Sequence, residues 1–77
     1  IDPAKATDSA TVARLHAVRG TAHLLLRQRE DAQAEFDKAL SLKPGSADAL
    51  VGTSRLLAGE RKWPEAIAAV DKALASE

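Results

Sequence analysis

Nowhere along the chain do apolar and polar residues alternate at period two for long enough to make a strand. Blocks rich in Ala, Leu, Arg, Glu and Lys, all strong helix formers, instead lie between three prolines (Pro3, Pro44, Pro64) and four glycines (Gly20, Gly45, Gly52, Gly59). This punctuation predicts four helices. The first starts at about residue 9 or 11 and runs to 27, with Thr7, Asp8 and Ser9 all able to cap the open N–H groups at its start. The second covers about 30–42; it stops because Pro44 disfavours helical geometry at Lys43, and Gly45 can take positive φ. Ser46 caps a third helix over about 47–58, which breaks at Gly59. Pro64 suits the first turn of a fourth over about 65–76, where its missing N–H costs nothing.

These helices are related in pairs. A shift of 34 residues lays Ala13 on Ala47, Ala32 on Ala66, and Asp37-Lys38-Ala39-Leu40 on Asp71-Lys72-Ala73-Leu74. The same shift sets small on small at Gly20 and Ser54, and large on large at Phe36 and Val70. Small residues at Gly20, Ala32 and Ala39 let two antiparallel helices approach closely, and Phe36 fills the space beside them.

Composition fits this picture. The 77 residues include 17 alanines and only 18 larger apolar side chains, which limits the chain to one domain with little bulk for a core. A repeat unit that completes its burial by stacking on a neighbour explains the shortage. Eleven basic and eleven acidic residues, interspersed, leave no electrostatic footprint for nucleic acid or anionic lipid. Phe36 and Trp63 are too few for a base-stacking platform. No apolar run approaches a membrane span, so direct membrane insertion is not expected. With no Cys there is neither a disulfide framework nor a zinc ribbon, and both the cytoplasm and the periplasm or envelope stay open as locations.

A 34-residue helix-turn-helix period resembles the tetratricopeptide repeat (TPR) family. With the first unit at 13–46, the family's small, small, large, Ala and Pro positions become Gly20, Ala32, Phe36, Ala39 and Pro44. With the second at 47–77 they become Ser54, Ala66, Val70 and Ala73. Residues 1–12 then read as a linker, or the tail of a preceding unit, together with the start of the first helix. Pro44 lies 41 residues after Pro3, seven more than the period, so the first helix should begin early, at Asp8 or Ser9. The ragged ends suggest a piece of a longer repeat protein, and the fourth helix lacks the polar capping helix that such arrays use. The fold class implied by the resemblance is all-α, a right-handed α-α superhelix of two TPR-type hairpins. The Ala-rich, Arg-rich, Asn-free composition resembles TPR proteins of high-GC bacteria, which often assist envelope, pilus or exopolysaccharide assembly.

The chain departs from the family pattern at His16, Arg19 and His23, where the family favours bulky apolar groups. Arg19 has Glu35 or Asp37 as prospective partners on the second helix. His16 and His23 share a helix face but stand about 10 Å apart along the axis, too far to chelate one metal unaided. No His and carboxylate flank a Ser or Thr in triad-like order, and no phosphate-binding Gly loop occurs. The sequence therefore predicts no catalytic, cofactor-binding or metal-binding residues. Trp63, just ahead of Pro64, is expected to fold back onto the fourth helix as a staple, the alternative being a partner anchor.

What the resemblance implies is a non-catalytic scaffold that binds a protein or peptide in the concave groove of the first and third helices. Carried over by position, the groove set is Arg14, Ala17, Val18, Thr21, Leu24 and Leu25 with Asp48, Val51, Arg55 and Ala58. Its centre is apolar, so the expected ligand is an apolar or amphipathic helix. The family's clamp for acidic chaperone tails uses Asn, which this chain lacks. The alternative is a structural spacer or self-association module, a homodimer through the uncapped ends.

Overall fold

The computed structural model describes residues 8–75. Among these, every regular element is helical: α1 (Ser9–Leu25), α2 (Arg29–Leu42), α3 (Ala47–Gly59) and α4 (Trp63–Ala75). Asp8 caps α1, its Oδ1 accepting from the Ala10 N–H at 3.1 Å, so the helix does begin early. Of the other two candidate caps, Ser9 is the first residue of the helix and Thr7 lies outside the described residues. Lys43 is extended ahead of Pro44 and closes α2, and Ser46 Oγ caps α3 by accepting from the Ala49 N–H at 3.2 Å. Gly45 does not use its conformational freedom, since no described glycine has positive φ. The Lys43–Ser46 turn closes instead through the Ser46 N–H and the Lys43 carbonyl at 3.0 Å.

The other two helix ends correct the sequence reading. Left-handed backbone falls on Arg27 (φ 64°) and Arg61 (φ 63°), so α1 stops two residues before Arg27 and α3 includes Gly59. Both ends carry the same double closure. The N–H groups of Gln28 and Lys62 reach back to the carbonyls of His23 and Leu57 at 2.8 and 2.9 Å. Those of Arg27 and Arg61 reach Leu24 and Ala58, each at 3.0 Å. The 34-residue register thus repeats the left-handed arginine itself, and repeats its hydrogen bonds through flanking pairs that do not match: His23 and Leu57, Leu24 and Ala58, Gln28 and Lys62.

α1 pairs with α2 and α3 with α4, and α3 also packs on both α1 and α2. Small residues make these approaches: Ala13 and Ala17 of α1, Ala39 of α2 and Ala49 of α3 form one buried cluster, flanked by Leu40. A second cluster joins Ala32, Phe36 and Leu56, flanked by Leu24. Phe36 and Leu56 are the largest fully buried side chains. The Phe36 ring lies in a slot between Gly20 of α1 and Gly52 of α3; a Cβ on either glycine would meet it at 2.6 and 2.3 Å. One ring thereby fixes three helices. At the end of the same junction, the Arg29 guanidinium crosses Gly59 and its Nη2 donates to the Leu56 carbonyl at 3.1 Å.

Candidate functional site

α1 and α3 lie side by side and enclose an open groove of about 570 Å³. From α1 it is lined by Arg14, Ala17, Val18, Thr21, Ala22 and Leu25, and from α3 by Ala47, Asp48, Val51, Gly52 and Arg55. Eight of the ten residues expected on this face are therefore brought together along it. Leu24 is not among them: it turns into the hairpin and packs against the Ala32, Phe36 and Leu56 cluster. Ala58 also falls outside the lining, one turn past Arg55. Ala22, Ala47 and Gly52 were missed by position-by-position transfer, yet helical spacing gives all three away. Ala22 follows Val18 by four residues, Ala47 precedes Val51 by four and Gly52 follows Asp48 by four.

The groove has an apolar spine and a charged margin. Val18, Leu25 and Val51 remain 59%, 77% and 40% exposed and lie together along this one concavity. Arg14 Nε faces Asp48 Oδ2 at 3.8 Å, and both side chains are largely exposed, so the pair shapes the margin more than it stabilises the fold. Thr21 directs its hydroxyl back to the Ala17 carbonyl at 3.0 Å, which removes a polar donor from the spine.

The polar positions that broke the family pattern gather on the other side of α1. Glu35 is buried; its Oε1 accepts from His16 Nδ1 at 2.6 Å, while its Oε2 faces Arg19 Nε at 3.6 Å. Of the two prospective partners for Arg19, the structure selects Glu35; Asp37 accepts instead from Gln33 at 2.9 Å. The His16 hydrogen bond, with help from Arg19, holds the Glu35 carboxyl below its ordinary value of 4.5, against a burial effect acting the other way. One period on, the same positions carry Leu50, Thr53 and Ala69, and the buried Thr53 Oγ1 has no hydrogen-bond partner. His23 Nδ1 pairs with Gln28 Oε1 at 2.6 Å across the end of α1. Among the described residues no three His, Asp or Glu side chains are grouped as metal ligands, and no helix is long and apolar enough to cross a membrane. Trp63 is not stowed as a staple: it begins α4 and is 56% exposed.

No protein-family model, curated protein or solved structure matches the chain.

Proposed function

We propose that the chain is a pair of TPR-type repeats, 13–46 and 47–77, whose right-handed stacking forms a non-catalytic interaction scaffold. The repeat assignment is supported by the 34-residue recurrence of sequence, of left-handed caps and of their hydrogen bonds. The groove between α1 and α3 seats a peptide or protein segment that is helical and apolar along one side. The single observation behind this choice is the exposed spine of Val18, Leu25 and Val51 inside a formed concavity. Arg14 from α1, with Asp48 and Arg55 from α3, orients acidic and basic groups flanking the ligand's apolar stripe.

Amide chemical-shift mapping with a panel of synthetic peptides tests this. Amphipathic helical peptides should perturb residues 14–25 and 47–55, and Val18→Asp or Val51→Asp should weaken binding at least tenfold, about 1.4 kcal/mol. Perturbations confined to α2 and α4, or equal binding by an acidic unstructured peptide, would overturn the reading.

A further inference from the structure

α4 turns Ala66, Ala69 and Ala73 toward α3 and leaves Trp63, Ile67, Val70 and Leu74 exposed. Spacings of four, three and four put these on one stripe of the helix. What belongs on that stripe follows from the junction inside the molecule. α2 is the counterpart of α4 one period earlier, and the corresponding stripe (Arg29, Gln33, Phe36, Leu40) runs along α3, with Phe36 buried against Gly52 and Leu56 and Arg29 reaching across Gly59. The counterpart of α3 one period earlier is α1, whose Leu15, Leu25 and Leu26 are 58%, 77% and 68% exposed.

We propose that the α4 stripe is the seat of α1 from a second copy of this chain, docked head to tail so that the second molecule continues the stacking of the first. Moving the internal junction by one period makes the substitutions explicit. Phe36 opposite Gly52 becomes Val70 opposite Val18, which shares the same space between two medium side chains instead of one large and none; Val18 and Leu25 of the second copy then border both this contact and their own α1–α3 groove, as Gly52 borders both Phe36 and the groove. Arg29 crossing Gly59 becomes Trp63 over Leu25, and the recess shared by Gln33 and Glu60 becomes Ile67 beside Leu26. The polar rim of the internal junction is thus apolar on the exposed faces of α1 and α4, as a face that is covered requires. Charge agrees: Arg14 and Asp48 hold equivalent positions on successive first helices, so continuing the stack by one step brings Asp48 to Arg14 of the second copy. Because the two faces differ, the contact is heterologous and does not close at two molecules.

Sedimentation velocity over micromolar to millimolar protein, with Ile67→Glu and Leu15→Glu variants, tests the arrangement. Both sites are more than half exposed, so each variant should keep the helical circular dichroism of the parent. The parent should form species larger than a dimer as concentration rises. Each variant alone should stay monomeric, and an equimolar mixture should form a one-to-one dimer and nothing larger, since one supplies a free α1 face and the other a free α4 face. A parent that is monomeric throughout, a Leu15→Glu protein that still dimerises through α4, or a mixture that stays monomeric would overturn the proposal.

Discussion

A methyl group added to Gly20 or Gly52 has nowhere to go but into the Phe36 ring, which is pinned from both sides. Overpacking of this kind costs about 1–3 kcal/mol, more than the ~1 kcal/mol of helix propensity that alanine returns. Gly20→Ala and Gly52→Ala should each lower the midpoint of urea unfolding. Gly59→Ala should be close to neutral, because its new methyl meets only the far end of the long Arg29 side chain, and the hydrogen bond to the Leu56 carbonyl that it displaces, worth about 1 kcal/mol, is offset by alanine's helix propensity. The Gly20 and Phe36 pairing could be read in the sequence as small and large positions of one unit. Gly52 could not: its contact with Phe36 crosses the boundary between units, and the shift pairs it with Val18, which is not small. Glu35 gives a second test. Its folded carboxyl titrates below the ordinary 4.5, so the unfolded chain binds the proton more tightly and stability falls as pH drops from about that value through the folded one. The thermal midpoint of the parent should exceed that of Glu35→Gln near neutrality, and the gap should narrow progressively on acidification below pH ~4.5.

Helix existence was legible from composition and punctuation, whereas helix ends were legible only where proline or a capping Ser or Asp set them. At Lys43, Ser46 and Asp8 the local chemistry decides, and the expected boundaries hold. At Arg27 and Arg61 nothing in the residue type signals a left-handed backbone; hydrogen bonding across the last turn imposes it, which is why the reading ran α1 on to 27 and broke α3 at Gly59. Both arginines bear a conformational cost of about 1–2 kcal/mol that glycine would not, set against glycine's own entropy loss of about 0.5–1 kcal/mol. Arg27→Gly and Arg61→Gly should therefore each stabilise the chain by roughly 0.5–1 kcal/mol in chemical denaturation. The groove positions came from the family resemblance, carried over by position, and the structure brings eight of the ten together along one concavity. Leu24 was misplaced because one step along a helix turns a side chain by more than a quarter circle, enough to carry it from the groove into the hairpin.

For the molecule as a whole, alanine-rich contacts and two large fully buried side chains must hold four helices together. Removing the ring that touches three of them, Phe36→Ala, should cost about 3–5 kcal/mol and melt both hairpins in one transition, seen as loss of most helical circular dichroism at 25 °C. A ligand in the α1–α3 groove should act oppositely, adding about 2.7 kcal/mol at a hundred times its Kd. The placement of Trp63 gives the chain an optical handle on its own association. It is the only tryptophan, it is 56% exposed, and it stands at the start of the unpaired stripe. Its emission should be that of a hydrated indole in dilute solution, open to quenching by iodide. Covering α4 should move the emission to shorter wavelength and shield it from the quencher, while filling the groove on the far side of α3 should leave its colour unchanged, so one intrinsic fluorophore tells the two kinds of encounter apart without a label.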